Sequence, residues 1–150
     1  MRHAAFRFCA LPAVVVIGLQ SMAFANDFMS GQVWSYQDAS PATSRVIIGK
    51  VDKMANGQNI VSISVTDAPI PTTETPLQTI GHMPFDKEAL QTSLLKQEGN
   101  VTVPAEFAGG YETWRAAYDA GKAGAFTIPV VKAVQYIKQV VESPSTPPPH

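Results

Sequence analysis

Hydrophobic and polar residues alternate in short stretches between Gly31 and Val65, and hydrophobic residues recur every three or four positions in stretches between Lys87 and Glu142. Between Gly31 and Gln37, Val33 and Ser35 point one way and Trp34 and Tyr36 the other, which predicts a strand. Arg45–Val51 is rich in β-branched residues and predicts a second. Gly49 inside it marks a bulge or the close approach of another backbone. Ile60–Val65 predicts a third, with Val61, Ile63 and Val65 on one face and Ile60, Ser62 and Ser64 on the other. Such alternation suits an antiparallel sheet with one face on the core. Asn56-Gly57 is a hairpin signal between the second and third strands. Ser40-Pro41 marks a turn between the first and second.

Asp67–Pro76 holds three prolines and three threonines, so it is a loop, leading into a short extended piece at Leu77–Ile80. Beyond Gly81–Phe85 the period changes. Asp86 is a suitable N-cap for a helix over Lys87–Gln97, with Phe85 and Leu90 forming a hydrophobic staple. Leu90, Leu94 and Leu95 are its expected buried stripe, and Gly99 its end. Val101–Pro104 reads as an extended link. A second helix is expected over Gly110–Ala120, where Tyr111, Trp114 and Tyr118 line one face. Arg115 can pair with Glu112 or Asp119 on its surface. Gly121 stops it. Thr127 is the expected N-cap of a third helix, Pro129–Glu142, with Val130, Ala133, Val134, Ile137 and Val141 on one face. Strands first and helices after give an α+β class: a small antiparallel sheet of three to four strands, followed by three helices packed on it.

The ends change the picture of where this domain works. Arg2 and Arg7, the apolar run Ala10–Leu19 and the Ala23-Phe24-Ala25 site predict a Sec-type signal peptide over Met1–Ala25. The run is too short to span a bilayer comfortably. A single domain, 26–142, and a proline-rich tail, Ser143–His150, complete the expected organisation. The tail has no means of burying itself and is expected to be disordered. Cys9 is the only cysteine and lies within the leader, so the mature chain would have no disulfide, thiol nucleophile or thiolate metal site. An exported domain without disulfides points to a bacterial, periplasmic setting, with an extracellular one as the alternative. Without Arg2 and Arg7, nine Lys and Arg face twelve Asp and Glu, a net charge of about −3. No basic cluster survives, which argues against nucleic acid as a partner. No later segment is apolar enough to span a membrane.

Candidate chemistry is sparse. His82 is the one histidine in the expected folded part, and a general base is its sharpest reading. The plainer one is a loop histidine before a helix, bonded to backbone. There is no Gly-x-Ser-x-Gly elbow, no Ser-x-x-Lys and no phosphate loop. One histidine is too few for a His-rich zinc site, so no metal or cofactor is expected. Glu106, Glu112, Asp119 and Asp67 are available as distant carboxylates, and each reads more simply as a solvated charge. The Tyr111, Trp114 and Tyr118 stripe reads as core packing, the alternative being a recognition platform for sugar or peptide. Trp34, Tyr36, Arg115 and His82 are the binding candidates, since tryptophan, tyrosine and arginine are enriched at interface hot spots.

Three spaced elements carry a resemblance: Gly31-x-x-Trp34-x-Tyr36, then Ile80-Gly81-His82-Met83-Pro84-Phe85, then Trp114-Arg115 followed by Ala120-Gly121-Lys122-Ala123-Gly124-x-Phe126-Thr127. In these the chain resembles a group of small bacterial proteins with no assigned function, over most of the expected mature region. The resemblance implies no activity. By subtraction, the expected function is that of an exported, non-catalytic binding or interaction protein with a protein partner in the periplasm. An inhibitor or immunity-type protein is one concrete form. The alternatives are a small cell-envelope hydrolase using His82 with a distant carboxylate, and a soluble subunit of an envelope complex.

Overall fold

Alternating and β-branched residues build most of the sheet. A computed structural model of the chain describes residues 27–72 and 74–143; the expected signal peptide and all of the tail but Ser143 lie outside them. Five strands form: β1 (Gln32–Tyr36), β2 (Arg45–Lys53), β3 (Asn59–Ala68), β4 (Gln78–Asp86) and β5 (Leu94–Asn100). They are antiparallel, in the order β4-β3-β2-β1-β5. Three helices complete the α+β fold: α1 (Lys87–Ser93), α2 (Glu106–Asp119) and α3 (Val130–Glu142). The hairpin predicted at Asn56-Gly57 joins β2 to β3, with Gly57 at φ 85° and the Met54 N–H donating to the Gln58 carbonyl (2.8 Å).

Both faces of the sheet are covered, where the alternation in β3 suggested one. Val61, Ile63 and Val65 meet Trp34, Tyr36, Val46, Ile48, Met83 and Phe85 in the main core, closed by Leu90 of α1 and Val130, Ala133 and Val134 of α3. On the opposite face α2 lies across β3 and β4 and forms a second cluster, in which Trp114 meets Ile60 and Met54. Ser62 and Ser64 are therefore fully buried, and polar side chains placed there need partners. Ser64 Oγ donates to the Gly81 carbonyl (2.6 Å) and Ser62 Oγ bonds His82 Nε2 (3.0 Å). Gly49 sits at a register shift between Ile48 and Lys50, and a Cβ there would collide with the Phe107 ring of α2. The bulge is as expected; the close neighbour is a side chain rather than a backbone.

Three helix boundaries depart from the sequence reading. The first helix ends at Ser93 rather than Gln97, because Leu94–Asn100 turns extended and pairs with β1 as the fifth strand. Leu94 is half-buried and Leu95 is 61% exposed, so the expected stripe reduces to Leu90. Asp86 does cap α1, accepting from the Glu88 and Ala89 amides. The second helix begins at Glu106, with Gly109 and Gly110 inside it. It stops as expected at Gly121 (φ 71°), whose N–H donates to the Tyr118 carbonyl (2.9 Å). Thr127 does not cap the third helix. The cap position is Pro129, and the Val130 amide donates instead to Ser93 Oγ (3.1 Å), so α1 caps α3 across the core. Ile137 is half-buried, and Val141 is exposed where the end of α3 leaves the core.

Gly81–Phe85, expected as a connection, is part of β4. Met83 and Phe85 alternate into the core, and Pro84 is tolerated because β4 is an edge strand, where a missing N–H breaks no ladder bond. Beyond β4 the chain returns once. The Phe126 N–H donates to the Pro84 carbonyl (2.8 Å), and the Asp86 N–H donates to the Phe126 carbonyl (2.9 Å).

Candidate functional site

Where α2 crosses β4 the two backbones come unusually close. A Cβ on Gly110 would stand 2.7 Å from the His82 Cβ, and one on Gly81 would stand 2.8 Å from the Glu106 carbonyl oxygen. A glycine on each element permits this approach. Beside the crossing, an open groove of about 590 Å³ is lined by Ile80, Gly81 and His82 of β4 and by Glu106, Thr113 and Trp114 among others of α2.

His82 forms its floor. Its ring lies among Phe107, Tyr111 and Trp114, at centroid separations of 5.6, 5.8 and 5.4 Å. Burial among these rings lowers its pKa from 6.5 to about 4, because the charged imidazolium loses hydration there. At neutral pH the ring is uncharged, and its Nε2 shares a hydrogen bond with Ser62, itself inaccessible. Trp114 is 8% exposed and its indole N–H donates to the Gly124 carbonyl (2.8 Å), which ties α2 to the returning chain. With Phe107, Tyr111 and Tyr118 it forms a ladder of neighbouring rings facing the sheet. Core packing is therefore the principal role of that stripe, and only part of Trp114 reaches the groove.

The other sequence candidates lie elsewhere. Trp34 and Tyr36 are 6% and 3% exposed, on the opposite face of the sheet. The Trp34 indole N–H donates to Gln32 Oε1 (3.3 Å) and its ring meets Phe28 edge-on. Ser44 Oγ donates to the Thr66 carbonyl and accepts from the Tyr36 hydroxyl, both at 2.8 Å. Burial pushes the Tyr36 phenol above its usual range. These two aromatics belong to the main core and leave almost no surface on which a partner could bear. Arg115 lies on α2, outside the groove lining, and pairs with Asp119 (3.1 Å) and Asp52 (3.6 Å). The first of these, at i+4, is the pair expected from sequence; Asp52 rather than Glu112 is the second partner. Its guanidinium pKa is raised, chiefly by the Asp119 hydrogen bond. Asp52 also accepts from the Tyr111 hydroxyl (2.9 Å), so this network fastens α2 to β2.

Of the four binding candidates, then, only His82 belongs to the groove. The residues that sequence reasoning passed over are Ile80 and Thr113; Glu106 appeared there only as a distant carboxylate. The alternation of Met83 and Phe85 was the signal that Ile80–Phe85 is a strand. Among the described residues, no group of three or more His, Cys, Asp or Glu side chains is placed to hold a metal, and no helix is long and apolar enough to cross a membrane. Comparison of the chain with protein-family models, curated proteins and solved structures finds no match.

Proposed function

We propose that the chain is an exported periplasmic protein that acts by binding another protein and has no turnover of its own, an inhibitor or immunity-type role being its most concrete form. The observation that carries this reading is the state of His82. A general base poised for neutral pH needs a pKa near the working pH. His82 lies at about 4, with its Nε2 committed to a serine that no substrate can reach. A shallow groove with aromatic and glycine lining suits contact with another chain better than the enclosure of a reacting molecule.

One observation favours the hydrolase reading instead: Glu106 lines the same groove as His82. Affinity capture from native periplasm, with the mature chain as bait, separates the two. The binding reading expects a stoichiometric protein partner and no hydrolysis. Capture of nothing, together with a hydrolytic activity lost in His82→Ala, overturns it. Intact-mass measurement of the exported protein should find Asn26 at its start; a species retaining Met1–Ala25 would count against the periplasmic setting.

A further inference from the structure

The two edges of the sheet are not equally guarded. β5 carries Lys96 and Glu98, both exposed, the kind of charge that discourages pairing with a further strand. β4 carries no formal charge from Gln78 to Met83 beyond a histidine that is neutral at pH 7. On its outer side, among the described residues, Phe126 alone bonds to the β4 backbone, at Pro84 and Asp86, and Gly124 and Ala125 lie with it beside Pro84. Those bonds also fix the direction of the backbone groups. Pro84 and Asp86 face away from β3, whereas the Gly81 carbonyl accepts from Ser64 of β3. A register shift sets Gly81 and His82 together opposite Ser64, and the ladder is regular from Met83 to Asp86. Alternation there turns the Met83 N–H towards β3; in planar trans peptides the His82 C=O points opposite to that N–H and the His82 N–H opposite to the Gly81 C=O, so both His82 groups face outward. Ile80, Gly81 and His82 of the same strand line the groove.

We propose that this edge receives an extended peptide segment of a partner protein. Resting on the binding reading above, the proposal adds the surface and the chemistry. The segment pairs with the His82 backbone as an added strand, as Phe126 already does one step further along. A side chain on its inner face lies against Trp114 and Ala117, so that residue is apolar. Glu106 is the only charged residue in the lining, and a Lys or Arg on the segment answers it.

The test selects a displayed library of random linear peptides against the mature protein and compares binding to Thr113→Arg. Thr113 is exposed on α2, so the variant should keep its melting temperature while its side chain obstructs the groove. Selected peptides should share a basic residue and bind the variant at least about tenfold more weakly. Glu106→Gln should weaken them by about two- to fivefold, as expected for an exposed ion pair. Hydrogen exchange followed by NMR should show the His82 amide slowed on binding. Peptides that bind Thr113→Arg equally well, or that slow the amides of Leu94–Asn100 instead, overturn the proposal. A periplasmic partner held equally by wild type and Thr113→Arg would remove this site and leave the binding reading standing. Failure to obtain any peptide or partner would remove both.

Discussion

Alanine at Gly109 should stabilise the protein, while the same change one residue later, at Gly110, should not. Both glycines lie inside α2, where glycine costs about 1 kcal/mol relative to alanine. A Cβ at Gly109 meets nothing within 4 Å, so Gly109→Ala should gain about 0.5–1 kcal/mol. A Cβ at Gly110 meets the His82 Cβ at 2.7 Å. That atom is fixed to a strand backbone and cannot swing aside, so the helix must lift. Overpacking of this kind costs about 1–3 kcal/mol, which cancels or exceeds the helix gain. The two variants should differ by roughly 1–3 kcal/mol, at about 3–5 °C in melting temperature for each kcal/mol in a domain of this size. Urea denaturation followed by tryptophan fluorescence would measure both free energies, with unchanged m-values confirming that the folded states are comparable. If Gly110→Ala proves as stabilising as Gly109→Ala, α2 does not rest on His82 and the groove is wrongly drawn.

Three further outcomes are expected. Trp114→Ala removes a buried indole and its bond to Gly124, and should cost about 3–5 kcal/mol by chemical denaturation; an unchanged stability would return the aromatic stripe to a purely recognition role. Asp86→Ala removes the cap of α1 and should cost about 1 kcal/mol by the same assay, with a loss below the error of the measurement refuting the cap. His82 binds a proton more readily unfolded than folded, so stability should fall as pH drops from 6.5 towards 4. The shift corresponds to about 3 kcal/mol, which we reduce to roughly 1–2 because part of the ring meets the open groove. His82→Gln should flatten that part of the pH profile, and an equally steep profile in the variant would assign the loss to other groups.

Period-two alternation in the first and third strands, the β-branched run of the second and the Asn56-Gly57 turn made the meander legible, and periodicity placed α2 and α3 to within a few residues. The remaining strands were hidden for different reasons. β4 contains Gly81 and Pro84, residues that normally argue against a strand; Pro84 is acceptable because the strand lies at the sheet edge, and Gly81 because α2 passes too close there for a side chain. β5 follows α1 without a break, and its Leu-Leu start continues a helical pattern; pairing with β1 is a tertiary fact that no local signal announces. The groove was obscured for the same reason. It exists because a glycine on α2 meets a histidine on β4, and β4 was not visible as a strand. Trp34 and Tyr36 looked like interface residues by type alone, whereas their burial follows from the position of α3 over the central strands.

His82 lies uncharged beneath α2, bonded to Ser62, and in the function proposed above it belongs to a binding surface rather than acting as a base. The most direct measurement is the NMR titration of its ring protons in the folded mature protein. His3 falls in the predicted leader and His150 in the tail, so the mature protein would hold two histidines, and the His82→Gln spectrum identifies the one that matters. A midpoint near pH 4 is the predicted result. A midpoint at or above 6.5 would mean that the ring is hydrated or paired with a carboxylate, and would contradict both the packing of α2 on β4 and the non-catalytic reading built on it.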